Sequence, residues 1–313
     1  MEWGKYFPSV IIPQNLSYFS FKMSRFKIAL AIFIAIALLL VIASTLFWRS
    51  PDYYTGYSPI ELASPILTDE EYDTLVDTHP RPYIVEINTQ NGGMLLLYGS
   101  EHTQDPDDPQ IADIQNRWSA FHPTVALVES RLGFFIQGFQ NPVVEYGEMG
   151  WVFSLARKDN VPVYTWEVPR EREIQSELEE FSKEQVALFY ILRPYFGNLR
   201  FGKPDAPDAI AEIYIRERSD YPGIENMITS VEQIDAIWKR DFPDEADWRD
   251  TSDQFGLPGY LAEIAARSNQ ARDEHFVRVI IDLMQKGERV FAIAGSSHAV
   301  KLEPALRSTL STK

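Results

Sequence analysis

Two apolar runs in this chain, residues 94–98 and 290–294, lead directly into Gly-Ser-x-His: Gly99-Ser100-Glu101-His102 and Gly295-Ser296-Ser297-His298. Only five histidines are present, so two in matching settings strongly constrain the fold. A run this short suits a buried strand better than a helix. The glycine lets the backbone turn tightly and approach a site. The histidine then falls beyond the strand's carboxyl end, where open α/β sheets bind ligands. The pattern predicts an α/β domain in which the two motifs form the first and last edges of one crevice.

The remaining periodicity agrees with that prediction. Residues 83–88 and 94–99 are apolar runs joined by Thr89-Gln90-Asn91-Gly92-Gly93, a strong hairpin signal. Further strands are predicted over 124–130, 161–167 and 289–294, with helices over 111–121, 147–159, 261–286 and 302–310. Strands alternating with helices imply a mostly parallel sheet. Residues 171–245 differ: apolar residues recur at helical spacing in 171–181, 183–196, 206–218 and 231–240, and no strand is visible. This stretch reads as a helical insertion. Residues 49–80 are rich in Pro, Tyr, Ser and acids and read as a stalk, with a short helix at 68–76 opened by a capping box.

Residues 28–48 form a 21-residue segment without a charge, long enough to span a bilayer as a helix. A secretory signal is the alternative, since Lys22, Arg25 and Lys27 precede it and Ile42-Ala43-Ser44 resembles a cleavage site. Signal cores usually run about 7–15 residues, which favours an uncleaved anchor. Basic residues on the N-terminal flank put that flank in the cytoplasm. The expected organisation is a cytoplasmic tail over 1–27, a transmembrane anchor over 28–48, a stalk over 49–80 and an α/β domain over 81–313. Residues 49–313 would then be periplasmic or extracellular. Met23 is a second candidate start. The chain has net charge −16 although residues 1–49 carry excess positive charge, so the body is strongly acidic and ill-suited to nucleic acid. Without cysteine, thiol nucleophiles and zinc-thiolate sites are excluded.

Four predicted strand ends carry a potential acid, base or ligand: His102, Glu129, Glu167 and His298. Two imidazoles with carboxylates match a divalent metal such as Mn, Fe, Co or Zn. His102, His298 and Glu129 are the candidate metal ligands. Glu129 and Glu167 are the candidate catalytic carboxylates, Glu167 as general base or a further ligand. A metal there would polarise a carbonyl and acidify bound water. The plain alternative is that each Glu caps a helix or is solvated, and that each His is structural. Arg272 shares a helix face with His275, Val279 and Leu283, and could orient substrate or stabilise an oxyanion; surface ion pairing is the alternative. Arg131 and Arg170 follow Glu129 and Glu167, as neutralising groups, substrate contacts or solvated loop residues. His79 and His122 precede proline and read as structural. No G-x-S-x-G elbow, phosphate loop, G-x-G-x-x-G or H-E-x-x-H motif occurs.

The hairpin leading into Gly99–His102, the strand ending in Glu129, Arg272-Asp273 on a late helix and the second motif at Gly295–His298 together resemble the TraB/GumN/Tiki proteins. Their wider superfamily includes erythromycin esterases and ChaN-like proteins. The resemblance covers roughly residues 81–313. It implies an α/β fold with helical insertions. Tiki-like members imply metal-dependent peptide hydrolysis with both G-x-x-H histidines and glutamates at the site. Erythromycin-esterase-like members imply water activation by histidine and glutamate without an obligatory metal, and ChaN-like members imply haem binding. Glu101 stands where relatives often carry a small or apolar residue. The expected function is metal-assisted cleavage of an amide or ester bond by a membrane-anchored, extracytoplasmic protein acting on a peptide or small molecule. The alternatives are a non-enzymatic module binding haem or a peptide, and a metal-free esterase.

Overall fold

A computed structural model describes residues 27–30, 32–36, 39, 48–57, 60–136, 138–199, 202–253 and 256–311. The chain divides into two units, 1–48 and 49–313. In the first unit, residues 27–30, 32–36 and 39 are helical, with exposed side chains. Most of the expected 28–48 span lies outside the described residues. Among the described residues, no helix is long and apolar enough to cross a membrane.

The second unit is an α/β domain. Its strands are β1 (Asp52–Tyr53), β2 (Tyr83–Asn88), β3 (Met94–Ser100), β4 (Val125–Val128), β5 (Val163–Thr165) and β6 (Arg289–Gly295). They form one sheet in the order β1-β5-β4-β6-β3-β2. All neighbours are parallel except the β2–β3 hairpin. The helices are α1 (Asp69–Asp73), α2 (Pro109–Phe121), α3 (Pro142–Asp159), α4 (Arg170–Glu177), α5 (Lys183–Asn198), α6 (Pro207–Arg218), α7 (Val231–Asp241), α8 (Tyr260–Gln285) and α9 (Ser296–Ser311).

Alternation along the strands builds a three-layer core. Leu95, Leu97, Val290 and Ala292 face Phe276, Ile280 and Met284 of α8 and Leu302 and Leu306 of α9. Leu96, Tyr98, Phe291 and Ile293 face Ile114 and Trp118 of α2 and Val152 and Leu155 of α3. The strand β4 is buried at every position, as expected for a parallel strand covered on both faces. The helical insertion has its own core, from Ile174 of α4 through Ile264 near the start of α8, so it extends beyond the expected limit at 245.

Three expectations require correction. Residues 49–80 are not a stalk. β1 pairs with β5, Tyr54 and Ile66 are core residues, and the expected capping box at Thr68 opens α1 against the domain. The last helix begins at Ser296 rather than 302, which puts His298 in its first turn and Pro304 in its interior. Finally, the two Gly-Ser-x-His strands are not opposite edges of a crevice. β3 and β6 are adjacent, with Gly99 opposite Ala294 and Ser100 opposite Gly295.

Candidate active site

Adjacency of β3 and β6 explains both glycines. A Cβ on Gly99 would come within 2.9 Å of Ser296 Cα, and a Cβ on Gly295 within 2.9 Å of His102 Nε2. Each motif's glycine therefore makes room for the other motif. Close approach, not a turn, is what requires them, since both residues lie within their strands.

The next ring of the site is ionic. Arg272, on the buried face of α8, reaches the carboxyl ends of β4 and β5. Its Nε and Nη2 donate to the two Glu167 oxygens at 2.7 Å each, and Nη2 also donates to Glu129 Oε1 at 3.1 Å. The fork geometry of guanidinium suits such bidentate pairing. Burial works to lift the Glu129 carboxyl, but Arg272, then His298 and His102, outweigh it and hold it below its ordinary value. Glu129 Oε2 is buried and has no hydrogen-bond partner among the described residues. The sequence-predicted residues His102, Glu129, Glu167, Arg272 and His298 are thus gathered at one sheet end.

Trp166 is the platform beneath them. Its indole stacks on Phe276 at 4.2 Å between ring centroids and meets the His298 ring edge-on at 5.3 Å. It also carries the Arg272 guanidinium 5.2 Å from its centroid. Its Nε1 donates to the Ile293 carbonyl at 3.0 Å, tying it to β6.

One buried acid is bonded to His298 and another to the loop that carries His102, and the sequence assigned neither a role at the site. Asp273 is fully buried and is hydrogen-bonded to His298 Nδ1. Its other oxygen lies 2.7 Å from Lys301 Nζ, and Lys301 in turn donates to Asp69 at 2.9 Å. Burial would raise the Asp273 carboxyl, but His298 and Lys301 hold it below the ordinary range. Glu148 of α3 is 2% exposed and accepts from the Thr103 backbone N–H at 2.7 Å. Here burial prevails, and the carboxyl is raised despite hydrogen bonds to it and the nearby charge of His102. Gly147 breaks α3 just before Glu148, with φ at 59° in the left-handed region. A Cβ on Gly147 would lie 2.8 Å from the Thr103 carbonyl oxygen.

Arg131 and Arg170 do not neutralise Glu129 or Glu167. Arg131 lies over Tyr53, and Arg170 over Tyr221. His275 is buried beside Tyr57, whose hydroxyl is 2.8 Å from Nδ1, and burial with Arg172 and Arg278 pushes it down to about 4. Glu101 is exposed and lines a cleft with His102, Ser296 and Ser297.

The donor set does not fit the expected divalent metal. Among the described residues, no group of three or more His, Asp or Glu side chains is arranged to hold a metal ion. The physical reason is Arg272. It occupies both oxygens of Glu167 and one oxygen of Glu129. A dication beside a buried guanidinium would be repelled. Comparison with protein-family models, curated proteins and solved structures returns no match.

Proposed function

We propose that the domain over 49–313 hydrolyses an ester or amide bond, with water activated by histidine and glutamate. The observation that carries this reading is the bond between His298 and buried Asp273. An ionised Asp273 only accepts, so Nδ1 of His298 carries the proton and Nε2 presents a lone pair. Nε2 takes a proton from water as the water oxygen bonds to the carbonyl carbon. Asp273 and the nearby ionised Glu129 stabilise the resulting imidazolium, in the manner of an acid-oriented histidine base. As the ester or amide bond breaks, the imidazolium returns its proton to the leaving oxygen or nitrogen. His102, across from Gly295, donates to the developing oxyanion. Arg272 is a positioning residue that fixes Glu129 and Glu167.

This is the metal-free reading, and it accords with what the resemblance implies for the erythromycin-esterase-like members of the wider superfamily. An anchor at 28–48, and an extracytoplasmic domain acting on a peptide or small molecule, belong to the same proposal. The test is a panel of chromogenic esters and amides, assayed with and without a chelator. Hydrolysis that survives the chelator and is lost in His298→Ala is the expected result. Hydrolysis lost to the chelator and restored by Mn or Zn would select the metal reading. A Soret shift on haem titration without any hydrolysis would select the binding module.

A further inference from the structure

Glu167 and Arg272 also form part of the wall of a cavity of about 480 Å³ between the end of β5 and the helical insertion. That size accommodates a small-molecule group of many atoms. In a chain of net charge −16, five arginines line this cavity: Arg131, Arg170, Arg193, Arg218 and Arg272. Among the described residues, the carboxylates that line it are Glu167, Glu173 and Asp253.

The pairing is more unequal than those residues suggest. Arg272 is engaged by Glu129 and Glu167, and Arg193 lies 3.6 Å from Glu173. Arg131, Arg170 and Arg218 pair with no carboxylate among the described residues. They are held by neutral groups instead. Arg131 sits 5.4 Å from the Tyr53 centroid, and Arg170 donates to the Tyr221 hydroxyl at 2.5 Å. Arg218 donates to the Tyr190 carbonyl at 2.8 Å. Such contacts orient a guanidinium without neutralising it. The cations also feel one another. Burial lowers Arg218 and the charge of Arg170 adds to that, while burial and Arg272 lower Arg193. Uncompensated guanidiniums held at the edge of the candidate site suit an oxyanion with several acceptor oxygens.

We propose that this cavity binds an anionic group of the substrate, a carboxylate or phosphoryl group, so that the domain acts on anionic esters or amides. Calling the ligand a substrate rests on the hydrolytic reading; the anion site does not. Arg131 and Arg170 follow the strand-end glutamates, so the crevice and the anion pocket share the same two loops. A substrate would lay its scissile bond by His298 and its charged end among Arg131, Arg170 and Arg218.

The experiment is calorimetric titration of the full chain with inorganic phosphate and, separately, succinate, at fixed ionic strength. Saturable binding of at least one anion is expected, and the tighter of the two identifies the chemical class. Arg131→Gln and Arg170→Gln should each weaken that binding roughly tenfold. The glutamines keep polar contacts, and circular dichroism checks the fold. His298→Ala should bind the anion like the unaltered protein. The proposal is overturned if neither anion binds saturably, or if both folded glutamine variants bind undiminished. Anion binding in a protein that hydrolyses no ester or amide would uphold the anion site and remove the hydrolytic reading alone.

Discussion

The two Gly-Ser-x-His segments are alike in sequence and lie on adjacent strands, yet the chain treats them differently. After β6 the chain enters α9 at once, so His298 sits in a helical turn with Lys301 one turn on, and both converge on Asp273. After β3 the chain continues as a loop, and His102 has φ at 48°. That left-handed conformation costs most residues free energy. The acid behind His298 is ionised and directly bonded, whereas the acid near His102 is raised by burial and bonds to backbone. One motif thus builds an imidazole oriented by an acid, and the other presents a less constrained imidazole. A repeated motif does not imply a repeated role; the backbone beyond the histidine decides it.

The largest expected effect comes from breaking the better-ordered side. Asp273→Asn leaves buried Lys301 with Asp69 as its carboxylate partner among the described residues and removes the charge behind His298. It should cost about 3–5 kcal/mol in denaturant unfolding as well as most hydrolysis. Because Asp273 is depressed in the folded chain, its contribution is complete above the unfolded value of about 4. It is lost as pH falls through the lower folded value, a slope that Asp273→Asn should abolish in acid-unfolding curves. His298→Ala should lower hydrolysis by about 10²–10⁴-fold with an unchanged circular dichroism spectrum. Hydrolysis that persists in this variant, while His102→Ala loses it, would reverse the assigned roles.

On the other side the pH slope has the opposite sign. Glu148 is raised in the folded chain, so its cost is absent below the ordinary value of about 4.3 and grows as pH rises towards the folded value. Glu148→Gln keeps an acceptor for Thr103 and should raise stability near neutral pH by about 1 kcal/mol, measured by urea unfolding at several pH values. The smallest effect tests the backbone contrast. At 102, glycine should be more stable than alanine by about 1 kcal/mol, because alanine resists the left-handed region. At 298, inside a helix, alanine should exceed glycine by a similar ~1 kcal/mol. Equal orders at both positions would show that the two histidines share one backbone setting.

Much of this arrangement is legible in residue order. Asn91-Gly92-Gly93 marks the hairpin, and short apolar runs mark β3, β4, β5 and β6. Glu129 and Glu167 end their strands, so the sheet itself delivers them to one rim. Arg272 can be read as inward-facing from its helical spacing. The hidden parts depend on distant partners. The strand β1 is two residues within a Pro- and Tyr-rich stretch and exists only because β5 offers an edge. The start of α9 is obscured because Ser296-Ser297 lacks apolar periodicity and Pro304 resembles a helix-start signal. Once that start is known, His298 and Lys301 fall at i and i+3 on one face, which points to a shared acid. The misfit of a metal has a related origin. Strand-end spacing reveals which side chains meet, but not that Arg272 has already engaged both oxygens of Glu167 and one of Glu129.

The ion pair between Asp69 and Lys301 carries a further consequence. Asp69, Lys301 and Asp273 form a continuous line of opposite charges from α1, through α9 and α8, that ends on the candidate base His298. Asp69 lies in the segment that composition alone would mark as a dispensable spacer. A protease nick between the first unit and β2, or a recombinant fragment trimmed to begin at 81, would remove the outer end of that line. It would also bare the edge of β5 and strip Tyr54 from its bond to Asp282. The arm that leads into the domain is therefore also a brace for the acid behind His298.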